Sequence, residues 1–394
     1  MGILIKRRDG MSVLTGVAKL SIISLITAIS ASLVSTIWAL YIDSFVHSEV
    51  IVGLISAALT LVAFFSYFLF VPLIEKNSKS KIFSYSLLSF AIAYILFAIT
   101  SKFYIFLILA FLTTIIYTFK VTSFGIIVRD KSKRSTLSRN EGIIYTAMNI
   151  AWVIGPLIAG FIANKYGISH VFLLSSIFIF IALLFFSVSG IKDSNINKKV
   201  DGNLLKNFYD FFKDKQRTLS YLISGGVNLW WSFIYLFMPL HIIRSGLNDL
   251  WVGYFLFGIA VPLILGEYKF SKLTLTLGHK KIFKIGYFLV AIISFICFFI
   301  QDIYILLGLL IFASVGMAMV EPTTEAYFFK ILKKKSDENR FYGPYNTTID
   351  FSSFIGRISG AILLIFLPFN YLFLLYGFFM LIMVLLSYKI KNIF

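Results

Sequence analysis

A chain of 394 residues that is 59% hydrophobic and only 14% charged falls well below the roughly 25% charged residues of soluble domains. Its apolar runs are too long and continuous for a β-barrel, so the expected class is an all-α membrane protein. The net charge of +18 does not point to nucleic acid, because the basic residues fall in short clusters between apolar runs rather than along one stripe.

Twelve segments are long enough to span a bilayer: 14–41, 50–74, 82–100, 103–128, 141–163, 170–190, 218–241, 250–269, 282–300, 303–329, 342–368 and 370–388. The first follows Lys6, Arg7 and Arg8 and is too long for the core of a cleaved signal peptide. If the spans alternate, 30 of the 36 Lys and Arg residues lie on the side of the N-terminus and of the loops after even-numbered spans. The opposite side holds only Lys102, Lys165 and Arg244, while Lys19, Lys120 and Arg357 lie within spans. This bias places both termini in the cytoplasm, and one missed span would invert every later loop. The longest polar stretch, 191–217, separates two six-helix bundles, 1–190 and 218–394. Its LLKNFYDFFK portion reads equally as an interfacial amphipathic helix or as part of a solvated linker. Cys297 is the only cysteine and the four histidines are scattered. No disulfide framework, metal site or cofactor is expected, and no nucleophile–base constellation suggests an enzyme.

The two halves repeat. Gly53 matches Gly253 and Lys81-Ile82-Phe83 matches Lys281-Ile282-Phe283 at an offset of 200. Arg139 matches Arg340, Gly142 matches Gly343 and Ile154-Gly155 matches Ile355-Gly356 at 201. Such a repeat implies duplication, with two bundles related by a pseudo-two-fold axis along the membrane normal. The stretch GIIYTAMNIAWVIGPLIAG, from Gly142, is apolar but carries Gly155-Pro156 and several small residues. Membrane helices tolerate that pair because neighbouring helices re-satisfy the freed backbone groups, and small residues let helices approach closely. Its counterpart, GPYNTTIDFSSFIGRISGA, adds Asp350 and Arg357.

Six plus six helices, a cytoplasmic central loop and parallel repeats resemble the major facilitator superfamily over the whole chain. Two motifs carry the resemblance. The loop after span 2, VPLIEKNSKSK, is similar to the family pattern G-x-L-x-D-R-x-G-R-[KR]. Glu75 stands at the acidic position and Lys76 and Lys79 at basic ones, while Val71 and Ser78 replace the glycines. Asp130 resembles the acid that completes this network. The resemblance implies that these groups hold the halves together when the outside is open. On span 5, Gly142, Ala151, Gly155, Pro156, Ala159 and Gly160 fall on the exporter pattern G-x8-G-x3-G-P-x2-G-G. That implies a drug or metabolite antiporter. The family's arginine motif on span 4 and its sugar-porter signatures are absent.

Ionisable residues at depth cost at least about 2.5–3.5 kcal/mol each, so they are functional candidates by default. At about 1.5 Å per residue, Lys120 and Glu321 lie roughly 13 Å from the cytoplasmic ends of spans 4 and 10. Asp350 and Asn149 lie near the same level in spans 11 and 5. Lys120 matches Glu321, and Asn149 matches Asp350, at offset 201. The candidate substrate and proton-coupling residues are therefore Lys120, Asn149, Glu321, Glu325, Asp350 and Arg357, at the midplane where such transporters bind their cargo. Trp38, Tyr41, Trp231 and Tyr235 are candidate cavity aromatics, suited to hydrophobic or cationic compounds. Gly225-Gly226 is a candidate bend in span 7. The expected function is proton-coupled export of such compounds by alternating access, from a monomer in the plasma membrane whose partners are lipid, substrate and protons. The alternatives are a symporter importing an organic acid or sugar, and a non-transporting receptor or scaffold.

Overall fold

The computed structural model describes residues 4–6, 12–14, 16–131, 137–191, 193, 204–332 and 334–393. A short antiparallel hairpin, β1 (Leu4–Lys6) with β2 (Ser12–Leu14), precedes the first helix, so that helix begins at Gly16 rather than at position 14. The helices of the first sequence half are α1 (Gly16–Val46), α2 (Glu49–Lys76), α3 (Lys79–Ile99), α4 (Phe103–Lys131), α5 (Leu137–Tyr166) and α6 (Ile168–Val188). The second half holds α7 (Leu204–Lys213), α8 (Lys215–Ser232), α9 (Met238–Arg244), α10 (Asp249–Leu277), α11 (His279–Cys297), α12 (Ile303–Ile331), α13 (Lys335–Asn346), α14 (Thr348–Phe366) and α15 (Tyr371–Ser387). A five-residue π turn, Phe233–Phe237, joins α8 to α9. The twelve expected spans correspond to α1–α6, α8 with α9, α10, α11, α12, α14 and α15; among the described residues ten of these are long and apolar enough to cross a membrane, and α15 is a shorter apolar helix. Apart from the short hairpin the fold is helical, and the protein is a multi-pass membrane protein.

The chain divides into two compact units. One comprises Met1–Trp38 with Phe65–Val200, and the other Ala39–Phe64 with Asp201–Phe394. Both use the same internal pairings, which is how the duplication survives in three dimensions. In the first unit α3 packs on α4 and α6; in the second α11 packs on α12 and α15. Ser176 Oγ donates to the Ala91 carbonyl at 2.7 Å across α3–α6, and Ser294 Oγ to the Phe373 carbonyl at 2.8 Å across the equivalent α11–α15. The first unit centres on Phe97 stacked on Phe172 at 5.3 Å, the second on Phe233 stacked on Tyr376 at 4.6 Å.

The outer faces explain the hydropathy. On α3 the exposed stripe is Tyr85, Leu88, Ile92, Leu96 and Ile99; on α11 it is Ile285, Phe288, Ile292, Ile296, continued by Phe299 just past the helix. Helical spacing puts each set on one face, and an exposed face made wholly of large apolar side chains fits lipid, not water.

Two spans differ from their sequence reading. Gly225 and Gly226 lie inside α8 and are tightly packed in this structure. A Cβ on Gly225 would strike Ser352 Oγ, and one on Gly226 would lie 2.5 Å from Met383 Cγ and 2.8 Å from the Tyr287 hydroxyl, so these glycines permit close packing. The irregularity falls instead at the π turn, just before Pro239, which lacks a donor and crowds the carbonyl four residues earlier. Span 11 is divided at Thr347, so Asp350 stands in the first turn of α14, where a helix dipole favours a carboxylate.

Beyond α6, Asp193 reaches back to the start of α3. It accepts from Ser78 Oγ at 2.5 Å and from Ser80 N and Oγ at 2.8 Å each. Burial alone would raise its pKa, but these hydrogen bonds and nearby Lys79 outweigh it and hold Asp193 below the ordinary carboxylate range. A group depressed in the folded state stabilises above its unfolded pKa, about 3.9, and loses that contribution as pH falls through the folded value. Asp193→Asn, which keeps one acceptor oxygen but loses the charge and the second acceptor, should therefore cost about 0.5–1 kcal/mol near neutrality. The deficit should close in acid, read as converging thermal unfolding curves for the two proteins.

Candidate functional site

Within the second unit, α8, α12 and α14 bring together most of the predicted polar residues. Glu321 on α12 is half-buried and accepts a hydrogen bond from Trp231 Nε1 on α8 at 3.1 Å. Tyr235 lies one turn further, its ring 5.9 Å from that of Trp231. Among the described residues, Glu321 makes no ion pair. Glu267 on α10 is near enough to interact with it electrostatically, so a second acid stands close to the first. Glu325, one turn beyond Glu321, is held by the Tyr342 hydroxyl.

Asp350 and Arg357 are two turns apart on α14 and interact electrostatically without forming an ion pair. Arg357 instead turns to α2. Its Nη1 donates to the Ser56 carbonyl at 3.3 Å and, in a short hydrogen bond, to Thr60 Oγ1. Its Nε is buried and has no hydrogen-bond partner among the described residues. Both ends of this contact lie in the second unit, because that unit includes Ala39–Phe64.

In the first unit, Lys120 is only 8% exposed. Its Nζ sits 4.7 Å from the Phe90 ring centre and 5.3 Å from that of Tyr117, and such contacts partly replace the hydration an ammonium loses. Asn149 on α5 is exposed. Trp38 packs against Phe97 and Phe106, at 5.7 and 6.0 Å, and Tyr41 is buried beside Phe45. Of the four predicted aromatics, the structure puts Trp231 and Tyr235 beside a candidate acid.

At the α2–α3 turn, Lys79 is buried and donates to the Glu75 carbonyl at 2.7 Å, while Lys76 is exposed. Glu75 interacts electrostatically with Arg129 and Lys79, and Asp130 is half-buried at the end of α4. Gly155, Pro156 and Gly160 are buried on α5; the surroundings of Gly142 lie outside the described residues.

Three residues escaped the sequence reading. Arg244, at the end of α9, binds Asp43 at 2.9 Å and Glu49 at 2.5 Å, fastening the α1–α2 corner on the side opposite the lysine-rich loops. The available signal was weaker: Arg244 is one of only three basic residues outside the spans on its side, and Asp43 and Glu49 flank the short turn between spans 1 and 2. An exposed pair contributes at most about 1 kcal/mol, so this clasp is easily opened.

The family model described as Major Facilitator Superfamily matches residues 20–273 and 262–392. The MFS-type transporter MJ1560 of Methanocaldococcus jannaschii is 24% identical over 259 residues, 64% of this chain and 66% of that protein, so the match leaves about a third of the relative's length uncovered. Among solved structures, a bacterial homologue of the human lysosomal transporter Spinster superposes with a TM-score of 0.76 at 11% identity, covering 95% of each chain. A POT family transporter in complex with 5-aminolevulinic acid gives 0.79 at 12% identity over 99% of each. The nucleoside transporter NupG gives 0.75 at 11% identity, over 95% of this chain and 99% of its own. At these identities the structures speak for the fold, whereas the family match runs almost from end to end. The chain belongs to the major facilitator superfamily and is a transporter, not an enzyme.

Proposed function

We propose that the protein is a proton-coupled exporter of small hydrophobic or cationic compounds, working by alternating access. The observation that carries this reading is Glu321, an acid at depth that is bonded by Trp231 and forms no ion pair among the described residues. A carboxylate beside indole and phenol rings attracts a cation by charge and by ring quadrupole. A proton on the same carboxylate removes that attraction, so the two ligands compete, and competition is the basis of antiport. Asp350 is the second candidate proton carrier. Asn149 and Lys120 are candidate binding groups on the first half of the chain. Glu75, Lys76, Lys79, Asp130, Gly142, Gly155, Pro156 and Gly160 are candidate gating positions. The Arg244 clasp would have to open for access from its side. The lysine bias supports cytoplasmic termini in a plasma membrane protein, acting as a monomer.

A second reading, import of an organic acid or sugar with protons, is favoured by one feature. The buried Nε of Arg357 has no hydrogen-bond partner among the described residues, as a guanidinium awaiting an anionic group would. Purified protein in proteoliposomes, given pH gradients of either sign with lipophilic cations and organic acids as cargo, separates the two. Export predicts cation movement opposite to the proton flow. Acid accumulation along the proton flow would replace the export reading with the second, and no coupled flux of either would remove both.

A further inference from the structure

The segment 204–213 resolves into α7, a helix with three distinct faces. One face docks on its own unit. Phe211 is fully buried in a cluster with Tyr221, Phe328, Phe341 and Tyr345. Arg340 of α13 donates to Asn207 Oδ1 at 2.9 Å and forms an ion pair with Asp210. Arg217 donates to the carbonyls of Phe211 and Asp210 at 3.2 and 2.7 Å, closing the C-terminal end of the helix. Asp214 then caps α8, accepting from Gln216 N and Arg217 N at 2.9 and 3.0 Å. The helix is therefore rigidly held, which a solvated linker would not be.

The face away from this dock is apolar. Leu205, Tyr209 and Phe212, spaced four and three residues apart, form one stripe and are 72%, 65% and 43% exposed. Beside the stripe lie the exposed Lys206 and Lys213, with exposed Lys215 just beyond. The Nζ of Lys213 lies 4.3 Å from the Tyr209 ring centre. A single residue, Asp214, separates α7 from a membrane-spanning helix, so α7 lies at the level where the chain enters the bilayer. The order around the helix is protein, lysine, then exposed apolar stripe. That suits a helix seated at the interface, with its apolar side chains below the headgroups and its lysines snorkelling to their phosphates.

We propose that α7 is an interfacial helix that binds the bilayer surface on the lysine-rich side and selects anionic phospholipid headgroups through Lys206, Lys213 and Lys215. It acts as a fixed foot for the second unit, because Phe211 and the Arg340–Asp210 pair join it to α12 and α13. Polybasic segments beside a membrane helix are drawn to anionic leaflets and not to neutral ones.

The test uses the full chain with Leu205→Cys in a Cys297→Ser background, carrying a nitroxide label and reconstituted in vesicles. One vesicle set is phosphatidylcholine alone, the other phosphatidylcholine with phosphatidylglycerol. The expected result is a label reached several-fold more readily by oxygen than by a water-soluble nickel chelate, with the preference larger in the anionic vesicles. Lys206→Glu with Lys213→Glu should erase the difference between vesicle sets. A label open to nickel in both would overturn the interfacial seat. Equal burial in both vesicle sets for the unreversed protein would overturn the anionic selection without reference to the charge variant.

Discussion

Glu321→Gln should lower pH-gradient-driven transport by more than about tenfold, the consequence of removing a titrating group from a site where ionisable residues are kept only for use. The substitution is close to isosteric, and its amide oxygen can still accept from Trp231 Nε1, now at 3.1 Å from the carboxylate. The variant should therefore fold and insert normally. What it loses is the choice between a charged and a neutral state. If a cation and a proton compete for that carboxylate, the amide mimics the protonated form permanently. Accumulation against a gradient should disappear, while slow movement of substrate down its own gradient should persist. Both are measured in the same proteoliposomes by imposing or omitting the pH difference. Retention of uphill transport would remove Glu321 from the coupling role and leave Asp350, whose Asp350→Asn variant would then be the one to lose it. Loss of all transport in both variants, with intact folding, would show that both acids are needed to hold substrate and would leave the proton-carrying role unassigned to either.

The sequence made the architecture readable for a physical reason. A bilayer admits only helices of sufficient length, and the positive-inside bias constrains their number. It also pointed to individual residues where burial of charge is costly, which is why Glu321 could be singled out without knowing that Trp231 bonds to it. It did less well wherever the outcome depended on how helices face one another. Trp38 and Trp231 look alike in the sequence, yet one packs against Phe97 and Phe106 and the other meets an acid. Arg357 stands two turns from Asp350 on its own helix, yet its side chain turns to Thr60 and Ser56 of α2, which no spacing along one helix reveals. Asp193 sits in a polar stretch with no periodicity, so nothing local announces that it caps α3. The glycine pair of α8 reads as a hinge because glycine serves both flexibility and close approach, and only the neighbours decide between them.

That ambiguity is sharpest at Gly155 and its counterpart Gly356, where a second prediction with a large effect arises. Both face a serine of the first helix in their own half, Ser32 and Ser232, themselves an equivalent pair. A Cβ on Gly155 would collide with Ser32 Oγ and lie 2.6 Å from Ser32 Cβ and 3.5 Å from the Leu33 nitrogen. A Cβ on Gly356 would collide with Ser232 Oγ but stay 3.2 Å from Ser232 Cβ and 3.4 Å from Leu229 Cδ2. The first clash includes an atom fixed to the backbone, so α1 and α5 must separate; overpacking of this kind costs about 1–3 kcal/mol. The second is relieved if Ser232 rotates, at the loss of its 2.7 Å hydrogen bond to the Leu229 carbonyl, a loss of about 1 kcal/mol. Alanine also gains roughly 1 kcal/mol of helix propensity over glycine, so Gly356→Ala should be near neutral while Gly155→Ala is clearly destabilised. Second-site changes separate the two mechanisms. Ser232→Ala should relieve most of the strain in Gly356→Ala, because the hydroxyl is the severe clash and the Ser232 Cβ, at 3.2 Å, needs to give only slightly. Ser32→Ala should not relieve Gly155→Ala, whereas Ser32→Gly, which also removes the Cβ, should. Thermal unfolding and monodispersity in detergent read all five variants, with the double variants compared against the corresponding serine variants alone. Rescue of Gly155→Ala by Ser32→Ala would show that α1 and α5 are not held as closely as their backbones suggest. If the pattern holds, the small-residue stretch of α5 acts first through contact distance, and any gating it performs is a movement of α5 against α1 across the Gly155–Ser32 contact.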